Sequence, residues 1–230
     1  MSTQGTPAPD GEVELSGPVE DYLKAIYELE RHGGGAATTN DIAARLGIAP
    51  ASVSGMVRRL AEQRLIAHER YRGVRLTDVG RRLALRTLRR HRVIEAYLAK
   101  ALGYPWDRVH DEAERLEHAA SDELIDRMAA AIGEPTVDPH GAPIPTREGA
   151  VDETPRRSLA ELGVGEAACV LRVSDEDAAQ LRYLAELGIV PGTTVEVLER
   201  APYGGPISVR VGDRRSSLGP GLAAQVVVEG

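Results

Sequence analysis

Five residues in the middle of the chain share a helical spacing: His110, Glu114, Glu117, His118 and Ser121 fall at i, i+4, i+7, i+8 and i+11. That spacing places them on one face of a helix. His91 and Glu95 repeat the i, i+4 pattern on the preceding segment. Imidazoles alternating with carboxylates along one face are the donors that hold a metal ion. Either glutamate alone reads equally well as part of a solvated acidic face. His91, set in a basic run, reads equally well as a phosphate contact. Two histidines flanking two glutamates are what favour a ligand set. Nitrogen and oxygen donors without thiolate suit Mn²⁺ or Fe²⁺ better than Cu(I) or structural zinc. Affinity does not choose among divalent ions, because the same ligands bind later first-row metals more tightly.

The elements that must carry these residues are legible from periodicity and punctuation. A helix over Trp106–Ala120, with Trp106 anchoring its start, carries the His/Glu face beside an apolar stripe of Ala113, Leu116, Ala120 and Leu124. A second helix follows around Asp122–Ile132. His91 and Glu95 lie on a long basic helix from Asp78 to about Leu102, N-capped by Thr77 and ended by Gly103-Tyr104-Pro105. Upstream, a helix near Val19–Arg31 ends at a triple glycine. Thr38-Thr39-Asn40 then opens a short helix that Gly47 breaks, and Pro50 starts a helix over Ala51–Gln63. Short strands at Leu65–Arg70 and Val74–Leu76 bracket Tyr71-Arg72-Gly73, which makes a winged helix-turn-helix. Residues 133–158, rich in Pro, Gly and charge, read as a linker. Apolar runs at Ala168–Val173, Thr194–Leu198, Ile207–Val211 and Ala224–Val228, with a helix near Asp177–Leu187, predict a small β-barrel.

The net charge of −7 conceals a basic segment: residues 31–92 hold 14 Lys/Arg against 4 Asp/Glu. A phosphate-binding module inside an acidic protein gives that asymmetry, as does an Arg-rich solvated helix surface. Phe is absent and aromatics make up 3% of the chain, which disfavours stacking on single-stranded nucleic acid. The single Cys169 excludes an intramolecular disulfide. No apolar run approaches the roughly 18 residues of a membrane span, and residues 1–17 read as a disordered tail, not a signal peptide. A cytoplasmic protein without a membrane partner is expected.

These pieces together resemble the diphtheria-toxin-repressor family of metalloregulators, in its manganese-transport-regulator branch. The resemblance rests on Glu20-Asp21-Tyr22-Leu23, the run from Ala49 to Val57, Tyr71-Arg72-Gly73, Arg90-His91-Arg92 and the run from Val109 to His118. It covers roughly Pro18–Thr146, with a weaker match over the barrel. It implies an α+β chain with a winged helix-turn-helix over 18–90, a helical metal-binding and dimerisation domain over 91–146, a linker over 147–158 and an SH3-like β-barrel over 159–230. It also implies a primary metal site from Asp21, Glu114, Glu117 and His118. Iron-responsive members carry Met and Cys where this chain has Asp21 and Glu114, so the resemblance points to Mn²⁺, with Fe²⁺ as the alternative. His91, Glu95 and His110 match an ancillary site that the barrel completes, with Asp177 the first candidate and Gln180 or Glu176 behind it. Short manganese regulators place a Glu at the position of Lys24. A protonated lysine cannot ligate, so that binuclear arrangement is not expected here. His32, His68 and His140 are assigned no metal role.

The implied function is a dimeric, metal-activated repressor on double-stranded DNA with a palindromic operator. The helix over Ala51–Gln63 enters the major groove. Ser52 and Ser54 lie near its start, Arg58, Arg59, Arg70 and Arg72 contact phosphates, and Thr39 and Asn40 join from the preceding helix. Gly55 removes a side chain where a longer base reader could sit, which favours shape readout. Three rivals stay open: a metallohydrolase, for which no separate nucleophile stands out; a winged-helix regulator of an organic ligand; and the iron-responsive version of the same fold.

Overall fold

The structure is a computed structural model and describes residues 15–33, 35–69 and 73–230. Arg70 and Arg72 lie outside the described residues, as do the side chains of His32 and His68. The chain divides into two compact units, Met1–Ala84 and Leu85–Gly230.

In the first unit, α1 spans Gly17–Gly33, α2 Thr39–Leu46 and α3 Pro50–Glu62. Val19, Leu23, Ile26 and Tyr27 recur at helical spacing and are all buried, so one face of α1 forms core. Thr38 caps α2 in a reciprocal box with Asp41. Gly47, in the left-handed region at φ 64°, ends α2 and permits the turn into α3. Pro50 opens α3, where its missing N–H removes a donor the helix start leaves unpaired anyway. Strands β1 (Ile66–Glu69) and β2 (Gly73–Leu76) pair antiparallel as the wing, with Ile66 opposite Leu76. Thr77 caps α4 (Asp78–Leu102) by accepting from the Gly80 N–H, while its hydroxyl donates to the Leu65 carbonyl. Gly80 is obligatory there: a Cβ would stand 2.0 Å from the Leu65 oxygen.

In the second unit, the remainder of α4 packs with α5 (Val109–Leu116) and α6 (Asp122–Ala131) around Val93, Ile94, Val109, Ala113, Ile125 and Ala129. The helix expected over Trp106–Ala120 is shorter than its periodicity. Its start at Arg108 has no side-chain cap, and residues 117–119 form a turn. Ser121 already accepts from the Leu124 N–H as the cap of α6. A local cap for the next helix overrides continuation of the last. Residues 133–146 are no solvated linker: Asp138, His140, Ala142 and Ile144 are buried, and Ile144 joins the helical core.

The six-stranded sheet runs β3 (Arg157–Ser158), β8 (Val226–Val228), β4 (Ala167–Val173), β5 (Thr194–Arg200), β6 (Ile207–Val211) and β7 (Arg214–Leu218). Helices α7 (Ala178–Leu187) and α8 (Pro220–Ala224) complete this SH3-like barrel. β7 escaped sequence reading because Arg214-Arg215-Ser216-Ser217 shows no apolar alternation; as an edge strand it is specified by pairing with β6. Trp106 packs against the barrel core, and Arg182 of α7 pairs with Asp107 at 3.0 Å. Gly141, at φ +85°, lets the chain meet β4, since a Cβ would stand 1.9 Å from the Leu171 oxygen.

Two glycines one helix apart make opposite predictions. Gly55 is exposed within α3 and a Cβ there meets nothing within 4 Å. Gly55→Ala should therefore stabilise the chain by about 1 kcal/mol. Gly80→Ala should destabilise it by about 1–3 kcal/mol or more through overpacking. Thermal denaturation of the two variants checks both signs.

Candidate metal centre and nucleic-acid interface

Within the second unit, α4 presents His91 and Glu95 one turn apart, both buried, toward α5. His110 lies at the start of α5, with Nδ1 3.2 Å from His91 Nε2 and 3.4 Å from Glu95 Oε1. The fourth member comes from the barrel. Asp175, just past β4, places Oδ2 3.5 Å from His110 Nδ1. His91, Glu95, His110 and Asp175 thus converge, each offering one ligand atom within 4.8 Å of the others.

Asp177 and Gln180, the barrel residues expected from the resemblance, are not brought there. Asp177 is the N-cap of α7, accepting from the Ala179 and Gln180 N–H groups, and the Gln180 amide donates back to it at 3.1 Å. Its carboxylate is committed to satisfying a helix end. The carboxylate that reaches His110 is that of Asp175, two residues earlier. Glu176 is exposed.

A second group overlaps the first through Glu95. His140, fully buried, donates from Nε2 to the Trp106 carbonyl at 2.7 Å. That leaves Nδ1 as an acceptor, 3.9 Å from Glu95 Oε1 and 4.0 Å from Asp175 Oδ2. Asp138 accepts through Oδ1 from the His140 and Ala142 N–H groups, and its Oδ2 lies 3.6 Å from Arg92. Glu95 Oε2, Asp138 Oδ2 and His140 Nδ1 are buried without a hydrogen-bond donor. Three orphaned buried acceptors beside clustered carboxylates fit a cation, since leaving such groups unmatched is costly. The missed signal was the Asp138-Pro139-His140-Gly141 turn, whose glycine marks a close backbone approach.

A further group gathers at the C-terminal end of α5. Glu117 is buried, with Oε2 2.6 Å from His91 Nδ1 and Oε1 3.5 Å from His118 Nε2. Glu114, partly exposed, has Oε1 3.7 Å from His91 Nδ1. Glu117 and His118 lie in the turn after α5, while Ser121, expected on the same face, serves α6. Asp21 lies on α1 in the first unit. Among the described residues, none of the converging groups contains a cysteine; Cys169 is in β4.

In the first unit, Ser52, Ser54, Arg58 and Arg59 project from α3 into solvent, and Asn40 is exposed at the start of α2. Thr39, Ser54, Val57, Arg58, Ala61 and Glu62 line a shallow depression between the two helices. Small and basic side chains on the second helix of a helix-turn-helix suit entry into a groove flanked by phosphates.

Comparison with known proteins identifies the family of the chain. Residues 14–74 match the family described as iron dependent repressor, N-terminal DNA binding domain. Residues 77–146 match its metal binding and dimerisation domain, and residues 157–230 the FeoA domain. The iron-dependent repressor IdeR of Mycobacterium tuberculosis is 34% identical, over 94% of this chain and 98% of its own. The chain belongs to the diphtheria-toxin-repressor family. It is a metal-dependent transcriptional repressor, DNA-binding and dimerising, and not an enzyme. The diphtheria toxin repressor of Corynebacterium diphtheriae is 36% identical over 66% of this chain and 62% of its own. A solved manganese-dependent transcriptional repressor in complex with manganese is 41% identical, with a TM-score of 0.83 over 91% of this chain and 98% of that one. The manganese regulator SloR is 30% identical, with a TM-score of 0.78 over 92% and 97%. Among the described residues no helix is long and apolar enough to cross a membrane.

Protonation of the cluster is set by its burial and its partners. Burial works against a charged His110, but hydrogen bonds to Asp175 and Glu95 push its pKa up to about 10. Burial would raise Glu95, yet attraction to His91 and hydrogen bonds from His110 and His91 bring it down to about 2. In the metal-free protein the His110 contribution to stability is complete below its unfolded pKa of about 6.5 and is lost as pH rises through about 10. The Glu95 contribution is present above its unfolded value of about 4.5 and is lost as pH falls through about 2. The advantage in melting temperature of the metal-free wild type over His110→Gln should therefore shrink between pH 6.5 and 10. Mn²⁺ binding at pH 7.5 should release about one proton from this cluster. Calorimetry in buffers of different ionisation enthalpy reads that proton, and His110→Gln should abolish it.

Proposed function

We propose that this chain is a manganese-dependent repressor of metal-homeostasis genes, acting in the cytoplasm as a dimer on a palindromic operator. The observation that carries the metal is the donor set: every candidate ligand is a carboxylate or an imidazole. In the resemblance, iron-responsive members use Met and Cys where this chain has Asp21 and Glu114. Hard oxygen donors without sulfur suit Mn²⁺. A manganese-bound relative among the similar structures supports the same reading. The second reading, an iron-dependent repressor, is favoured by the iron-dependent relative that spans nearly the whole chain.

In this reading Asp21, Glu114, Glu117 and His118 hold the primary cation, and His91, Glu95, His110 and Asp175 an ancillary one, with Asp138 and His140 beside it. The bound ion supplies positive charge that cancels repulsion among carboxylates. Shifting a two-state equilibrium from 1:99 to 99:1 takes about 5.5 kcal/mol of differential binding. Thr39, Asn40, Ser52, Ser54, Arg58 and Arg59 are the proposed DNA contacts, joined by Arg70 and Arg72, which lie outside the described residues. Each phosphate contact removed should lower the salt slope of binding by about one. Two-fold symmetry of the dimer sets half-sites about one turn, or a multiple, apart.

Glu114→Ala should abolish metal-dependent DNA binding and leave the circular dichroism spectrum unchanged; a retained metal response in the folded variant would overturn the primary assignment. Selection from random duplex DNA with chelator, Mn²⁺ or anaerobic Fe²⁺ tests the whole reading. A palindrome enriched by Mn²⁺ and lost with chelator is the expected outcome. Stronger enrichment by Fe²⁺ would favour the second reading, and enrichment with chelator would remove metal control.

A further inference from the structure

Helix α3 carries a glycine that its contacts among the described residues do not account for. Gly47 sits in the left-handed region, and a Cβ on Gly80 would stand 2.0 Å from the Leu65 oxygen, so the fold needs glycine at both. Gly55 meets neither condition. It lies in the interior of α3 without a positive φ, and a Cβ there would meet none of the described residues within 4 Å. Glycine in a helix interior is destabilising relative to alanine, because more backbone freedom is lost on folding. The chain therefore bears a local cost at Gly55 that its own packing does not require.

Gly55 faces away from the core. Val53 and Val57, two residues to either side, are 0% and 2% exposed. Two residues are about 200° of helix rotation, so the buried side of α3 is opposite Gly55. On the outer face its neighbours are Ala51 and Ser52 one turn before, and Arg58 and Arg59 one turn after, all exposed. Gly55 is thus the centre of the face that α3 turns to solvent within the DNA-binding domain. Glycine serves where a backbone must come close to a ligand. The long basic chains after it suit phosphates at the groove wall, while the small residues before it let the helix settle toward the base edges. A Cα without a side chain offers those edges no hydrogen bond. What it can pack against is the apolar group that thymine displays in the major groove, its C5-methyl.

We propose that Gly55 is a specificity-determining residue: its bare Cα seats α3 against a thymine C5-methyl in each operator half-site, too close to admit a Cβ. This rests on the reading of α3 as the helix that enters the major groove, and adds a base preference to it. Two methyl-sized groups, one on the protein and one on the DNA, compete for the same space. With glycine the thymine methyl fills it. With alanine the Cβ fills it, and thymine then clashes. Burial of one methyl, taken as one CH₂, corresponds to about four-fold in affinity. The preference is steric and apolar, so it does not share the salt dependence of phosphate contacts.

The test uses full-length protein loaded with Mn²⁺ and a duplex selected by the wild type. Each thymine is replaced singly by deoxyuridine, which lacks only the C5-methyl. For the wild type, replacement at one thymine per half-site should weaken binding about four-fold. Gly55→Ala should melt about 2–4 °C higher, yet bind the thymine duplex about ten-fold or more weakly. Deoxyuridine at the same position should restore most of that loss and so reverse the wild-type preference, with the slope of log affinity against log salt unchanged. Equal loss by Gly55→Ala on both duplexes, or no loss on either, overturns the proposal. The double variant Arg58→Ala/Arg59→Ala checks the underlying reading separately. It should lower the salt slope by about two, whereas an unchanged slope removes α3 from the groove and the proposal with it.

Discussion

A carboxylate removed from water must find a donor or a cation, and this protein removes several at once. Glu95 and Glu117 are wholly buried on or beside helices whose other faces form the apolar core, and Asp138 is nearly so. An isolated ionised carboxylate in such a place is costly by several kcal/mol. Without metal, part of that cost is offset by a His110 held protonated and by Arg92 near Asp138. The remainder persists as oxygen and nitrogen atoms that accept from nothing. The helical packing thus leaves buried acceptors that a cation would suit.

The SH3-like barrel takes part through a small number of contacts within the second unit. Asp175 reaches His110, Trp106 packs into the barrel core, and the carbonyl of His140 accepts from the Val173 N–H at 3.0 Å. The same backbone turn that meets β4 aims the His140 ring at Glu95. Barrel placement and ligand placement therefore share one set of constraints, with Gly141 permitting the approach.

Donor chemistry and occupancy remain separate questions in this family. Carboxylate and imidazole ligands bind later transition metals more tightly than manganese, so selectivity depends on geometry and on which ion the cell supplies. Among the described residues the converging groups hold no cysteine, which relatives named for manganese and relatives named for iron both allow.

The elements of the DNA-binding unit were legible because their signals are local: Thr38, Gly47, Pro50 and Thr77 each act within a few positions of themselves. The His/Glu pairs on α4 and α5 were legible for the same reason, since helical spacing alone puts them on one face. What sequence reading missed depends on segments far apart in the chain. Asp177 was the barrel ligand expected from the resemblance, but its carboxylate is drawn to the N–H groups of the helix it starts, and Asp175 takes the place beside His110. His140 and Asp138 lie in a tract whose composition is that of a linker, and only contact with β4 and Trp106 buries them. The sequence by itself determined the local elements and the chemical type of the ligands, because caps and periodicity are short-range. Which carboxylates and imidazoles meet, and which are left wanting a cation, was decided by tertiary packing, because burial belongs to the assembled core and not to any one segment.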